Sequence, residues 1–135
     1  MRTLIVDDEL VSRKKMEKIM TAFGQCVTVE SGAEALKAMQ EAIDRGEPFD
    51  LITLDVSMPG MDGTEVLFEI RVIEQQKNIP KENKAKILMV TGQSDKDLVI
   101  TCMQAGCDDY VVKPFDSTIM AEKLKKIAIT LPEPS

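Results

Sequence analysis

The chain has 135 residues, enough for one domain, and its 44% hydrophobic and 30% charged residues are the proportions of an ordinary globular protein. Its net charge of −6 argues against nucleic-acid binding, which needs a basic face. No apolar run approaches the roughly 20 residues of a membrane span, and the apolar start Leu4-Ile5-Val6 is too short for a signal peptide.

The run Thr3–Val6 reads as a first strand. In the helix after it, Val11, Met16, Ile19, Met20 and Phe23 recur at helical spacing, ending near Gly24. Val27–Val29 forms a second strand, and Ser31-Gly32-Ala33-Glu34 reads as a capping box opening a second helix. That helix turns Ala35, Leu36, Met39 and Ile43 inward and stops at Gly46. Leu51–Leu54 is the third strand, and Val66, Leu67, Ile70 and Ile73 mark the third helix. Gln75–Lys86 is polar, carries four lysines and Pro80, and reads as an exposed basic loop. Ile87–Val90 is the fourth strand; the fourth helix carries Leu98, Val99, Cys102 and Met103 and stops at Gly106. Tyr110–Val112 is the fifth strand, and a last helix from Asp116 or Ser117 buries Ile119, Met120, Leu124 and Ile127. Residues 1–130 make one domain, and 131–135, with Pro132 and Pro134, read as a disordered tail.

Strict strand–helix alternation implies a parallel sheet with right-handed crossovers and helices on both faces. The nearly unbroken apolar character of most of the strands fits burial on both sides. The expected fold is therefore α/β and flavodoxin-like: a (βα)5, doubly wound, parallel five-stranded sheet in the order 2-1-3-4-5. Such sheets bind ligands beyond the carboxyl ends of their strands, where the strand order reverses.

Strand one ends in Asp7-Asp8, strand three in Asp55 and strand four in Thr91, and strand five is followed by Lys113. With strands one and three adjacent, three carboxylates converge at one sheet edge and repel one another unless a cation compensates. The chain offers Lys113, and an all-oxygen donor set suits Mg²⁺. The absence of histidine and the spacing of Cys26, Cys102 and Cys107 leave no zinc or copper site; these thiols read as small core residues in a reducing cytoplasm.

The chain resembles the receiver domains of two-component response regulators, especially the single-domain chemotaxis type. The resemblance runs through Leu4-Ile5-Val6-Asp7-Asp8-Glu9, Leu54–Gly63 with its turn Met58-Pro59-Gly60-Met61-Asp62-Gly63, Met89-Val90-Thr91-Gly92, and Ala105–Phe115 around Tyr110 and Lys113-Pro114-Phe115. It covers essentially the whole chain. It implies that Asp55 accepts a phosphoryl group from a phosphohistidine on a sensor histidine kinase or phosphotransfer protein. It implies that Asp7, Asp8, Asp55 and the backbone carbonyl of Ser57 hold Mg²⁺, Asp7 through a bound water, and that Lys113 and the Thr91 hydroxyl bind phosphoryl oxygens. It further implies a switch in which Thr91 moves toward the phosphate, Tyr110 turns inward, and the face of helix four, strand five and helix five changes shape for a downstream protein target. Ser57 and Gln93 would set the lifetime of the phosphate, with moderate autodephosphorylation. The resemblance implies a signalling switch that catalyses its own phosphorylation and slow dephosphorylation, as a monomer or weak dimer. With no output domain after the last helix, the chain either docks directly on its target or is a piece of a longer regulator.

Rival classes fit less well. A phosphatase of the haloacid dehalogenase type needs a second aspartate two residues after the nucleophile, and Ser57 stands there. A nucleotide-binding loop needs glycines and a lysine after strand one, and a flavin carrier needs hydroxyls in its phosphate loop; Asp7-Asp8-Glu9 is acidic instead. A protein-binding module that never meets phosphate remains the alternative.

Overall fold

The computed structural model describes residues 1–92 and 96–128. The five parallel strands are β1 (Arg2–Val6), β2 (Gln25–Val29), β3 (Leu51–Asp55), β4 (Lys86–Thr91) and β5 (Asp109–Val112). They lie side by side in the order β2-β1-β3-β4-β5 expected from the sequence. Between and after them run α1 (Leu10–Met20), α2 (Gly32–Asp44), α3 (Gly63–Gln76), α4 (Lys96–Ala105) and α5 (Ser117–Ala128), with single 3-10 turns at Thr21–Phe23 and Lys81–Asn83.

Strand alternation sorts the core into two layers. Leu4, Val6, Ile52, Leu54, Ile87 and Met89 face α2, α3 and α4, meeting Ala35, Met39, Val66, Leu67, Ile70 and Cys102. Ile5, Leu51, Leu88, Val90 and Val111 face α1 and α5, meeting Met16, Met20, Met120, Leu124 and Ile127. Both edge strands, β2 and β5, leave some residues exposed, and the three inner strands are almost wholly buried.

Three of the helices, α2, α3 and α5, start where a polar side chain satisfies a free amide. Ser31 Oγ accepts the Glu34 amide at 3.2 Å, but the return bond of the expected capping box shifts by one residue: Glu34 accepts the Glu30 amide at 2.7 Å. Asp62 caps α3 through the Glu65 amide at 3.0 Å, and Asp116 accepts the Ile119 amide at 2.8 Å at the head of α5.

Three sequence expectations change. In α1 the inward side is Ser12, Arg13, Met16 and Met20; Val11 is 74% exposed, and Phe23 falls in the 3-10 turn, partly exposed. In α4, Cys102 is buried, whereas Leu98 and Met103 lie exposed; β5 ends the sheet on that side, so α4 packs over an edge rather than over a full layer. The basic loop is shorter than its polar composition suggests. α3 continues to Gln76, Lys86 belongs to β4, Lys77 pairs with Asp44 at 2.9 Å, and Lys86 stands 3.9 Å from Asp108. The tail 131–135 lies outside the described residues.

Candidate phosphoacceptor site

Adjacent pairing of β1 and β3 brings Asp7 and Asp55 to the same sheet edge. Val6 stands opposite Leu54, so Asp7 and Asp55, which follow them, come side by side at the carboxyl ends of the two strands. Asp7 and Asp55 are 5% and 4% exposed, and Asp8 is exposed. One carboxylate oxygen from each of the three lies within 4.8 Å of the others. The backbone fixes them. The Asp7 amide donates to Val29 O at 3.2 Å, the Val56 amide to Val90 O at 3.0 Å, and the Ser57 amide to Asp55 Oδ1 at 3.3 Å.

Lys113 reaches in from beyond β5. Its ammonium stands 3.5 Å from Asp55 Oδ2 and 3.9 Å from Asp7 Oδ2. Its own amide donates to Thr91 O at 2.7 Å, and the Lys113–Pro114 peptide is cis. One ammonium against three carboxylates leaves the cluster net acidic. Burial pushes the Asp55 carboxyl up from 3.8 to about 6, and the neighbouring Asp7 carboxylate adds to the rise, with Lys113 and the Ser57 amide opposing it. A compact set of oxygen donors with an uncompensated charge fits a hard divalent cation.

Over the cluster lies an open cleft of about 470 Å³, lined by Asp8, Glu9, Asp55, Ser57, Gly92 and Lys113. Thr91 is 1% exposed, and its hydroxyl donates to Val111 O at 3.5 Å rather than toward the cleft. The hydroxyl has one proton to give, so donating it to an oxygen in the cleft would break that long contact. Tyr110 is partly exposed on β5, with the Lys123 ammonium 4.9 Å from its ring centroid. Gln93 lies outside the described residues.

The turn from β3 into α3 depends on close backbone approach. Gly60 has φ +83°, a conformation that favours glycine. At Gly63 a Cβ would collide with the Asp55 carbonyl oxygen and lie 2.7 Å from Val56 Cα. The Gly63 amide donates to Val56 O at 2.9 Å, so the first residue of α3 is seated on the backbone that directly follows Asp55.

Two residues were given no role at the site by the sequence, although Glu9 was read there as part of an acidic run. Glu9 lines the cleft; its signal was visible as a third acid after Asp7-Asp8. Arg13 is buried, donates to Asp7 O at 2.9 Å and pairs with Glu30 at 3.0 Å, steadying the acidic turn. In sequence it is indistinguishable from its neighbours Lys14 and Lys15, which are exposed.

Comparison with known proteins agrees with this geometry. The response regulator receiver domain family matches residues 3–125. The chain is 35% identical over 129 residues to the chemotaxis protein CheY of Pseudomonas aeruginosa, covering 94% of this chain and 95% of that protein. It is 34% identical over 127 residues to CheY of Bacillus subtilis, covering 93% and 95%. The structure of the chemotaxis protein CheY4 of Vibrio cholerae superposes with a TM-score of 0.78 at 28% identity, covering 93% of this chain and 97% of that one. The strand order, the acidic strand ends and these matches agree, and the chain belongs to the response regulator receiver domain family.

Proposed function

We propose that this receiver is a phosphorylation switch with Asp55 as the acceptor. The observation that carries the reading is the convergence of Asp7, Asp8 and Asp55 beneath an open cleft, with Lys113 3.5 Å from Asp55. Residues 1–130 form the functional unit, working in the cytoplasm. The donor is a phosphohistidine of a sensor kinase or phosphotransfer protein. An oxygen of the Asp55 carboxylate forms the new bond to phosphorus as the bond from phosphorus to the histidine nitrogen breaks, giving an aspartyl phosphate and a neutral imidazole once that nitrogen is protonated.

Asp7, Asp8, Asp55 and the Ser57 carbonyl hold Mg²⁺ in this reading. When bound, the metal neutralises charge between the carboxylate and the incoming phosphoryl group. Lys113 pairs with a phosphoryl oxygen after leaving Asp55 Oδ2, and the Thr91 hydroxyl turns from Val111 O to another. The space left near Thr91 admits Tyr110, which reshapes the surface of α4, β5 and α5 for a downstream protein. Autodephosphorylation requires a water at the same phosphorus. Ser57, small and exposed at the cleft rim, leaves room for it, and Gln93 influences its approach.

Intact mass after incubation with Mg²⁺ and acetyl phosphate tests the acceptor. The expected result is one added phosphoryl group that disappears on Asp55→Asn and on chelation. No gain in wild type, with rapid decay excluded, would make the chain a protein-binding module that works without phosphate. In the same assay Ser57→Leu should slow the loss of the added group several-fold; an unchanged decay would remove Ser57 from any role in lifetime.

A further inference from the structure

Tyr110 and Asp109 point to opposite faces of the sheet's last strand. In the β4–β5 register Tyr110 stands beside Met89, which faces α3 and α4, while Asp109 stands beside Leu88, which faces α1 and α5. Yet the cation over the Tyr110 ring comes from the α5 side, round the open edge of the sheet. Lys123 of α5 lies with its ammonium 4.9 Å from the ring centroid and 3.3 Å from Asp109 Oδ1. That carboxylate is rigid: it is about 5% exposed, and the same Oδ1 accepts the Tyr110 amide at 2.8 Å. Lys126 stands 3.5 Å from Oδ2, but 71% of its side chain is exposed and Oδ2 makes no hydrogen bond. The Lys123 side chain is 26% exposed, so its contacts with carboxylate and ring are partly dehydrated.

We propose that Lys123, anchored by buried Asp109, is a positioning residue that holds the Tyr110 ring at the outer edge of the sheet and so sets the threshold for its inward turn. The contact exists only while the ring stands outside. Turning toward Thr91 and Met89 carries the ring away from α5 and leaves the ammonium to Asp109 alone. The role in switching rests on the reading of Tyr110 given above; the restraint on the ring does not.

The composition supplies a clean probe, because Tyr110 is the one tyrosine and there is no tryptophan. Acrylamide, a neutral quencher, reads the accessibility of that ring without responding to the lysine's charge. The variants are Lys123→Met, which keeps length and loses charge, and Lys123→Arg, which keeps a cation over the ring. Without phosphodonor, Lys123→Met should shift the outward-to-inward ratio by roughly two- to fivefold toward the protected form, the strength of an exposed cation–π contact. Lys123→Arg should quench like wild type. Equal quenching of Lys123→Met and wild type, with matching circular dichroism, overturns the proposal. Repeating the measurement with acetyl phosphate and Mg²⁺, with Asp55 modification checked by mass, separates the two readings. Protection in phosphorylated wild type alongside a silent Lys123→Met sinks the restraint and keeps the switch. No protection on phosphorylation sinks the switch and, with it, the threshold role of Lys123.

Discussion

Asp55 is pushed up to about 6 in the folded chain from 3.8, chiefly by burial and then by Asp7. A carboxyl whose folded value is raised binds its proton more tightly when folded. Its contribution to stability is fully present below about pH 4 and is lost as pH rises through about 6. The metal-free protein should therefore lose stability between pH 4 and pH 6.5 on account of this group, and keep that deficit at neutral pH. Asp55→Asn removes the ionisation, and at pH 7.5 with chelator present it should stabilise the fold by on the order of 2 kcal/mol, with a much smaller gain at pH 4. Urea midpoints at the two pH values check this. A variant less stable than wild type at pH 7.5 would mean that the Lys113 contact outweighs the repulsion. The carboxylates and the lysine of the cluster were all legible in the sequence, because each follows an apolar strand. The buried Arg13 was not, since nothing in Arg13-Lys14-Lys15 distinguishes the residue that turns inward.

At the scale of elements, the strands were the easiest to read and the helix faces the hardest. The inner strands are largely apolar, because helices cover both their faces, and their sequence boundaries fall within a residue of those observed. Helix faces depend on what lies opposite. Val11 satisfies the helical period yet sits 74% exposed, since α1 packs near the β2 edge through Met16 and Met20. The junction of β3 and α3 is the element boundary that matters for the site, and Gly63 governs it. Adding one methyl group there forces the first turn of α3 away from the Asp55 carbonyl. Gly63→Ala should cost roughly 1–3 kcal/mol as an overpacked contact and, with Asp55 as the proposed acceptor, slow phosphorylation by acetyl phosphate, because the carbonyl being pushed is that of Asp55. Chemical denaturation and the mass assay read the two effects separately. Lost stability with an unchanged phosphorylation rate would show that the reaction tolerates movement of α3.

Across the whole molecule, Arg71 ties together parts that lie far apart in sequence. Its guanidinium donates to Gly106 O at 3.0 and 2.8 Å, to Ala85 O at 2.9 Å, to Glu74 at 2.7 Å and to Asp108 at 3.2 Å. Glu74, 1% exposed, in turn accepts the Ala85 amide at 2.8 Å. One side chain thus pins the end of α3 to the start of β4 and to the turn between α4 and β5. The sequence concealed this, because a charged pair on a helix reads by default as a solvated face. Arg71→Leu strands a buried carboxylate and leaves carbonyls without donors, so it should cost about 3 kcal/mol with an unchanged urea m-value. A loss below about 1 kcal/mol would mean that water replaces the guanidinium.

The strand order has a further consequence for how the chain is made. Synthesis delivers Asp7, Asp8 and Asp55 on two strands that are neighbours in the finished sheet, long before the ribosome reaches Lys113. A partly assembled sheet lacking β5 therefore gathers three like charges without the ammonium that belongs among them. Docking of the last strand relieves that repulsion as well as burying Val111. The charges of the acidic edge thereby penalise half-built forms, and the arrival of the strand that carries Lys113 is what makes that edge tolerable.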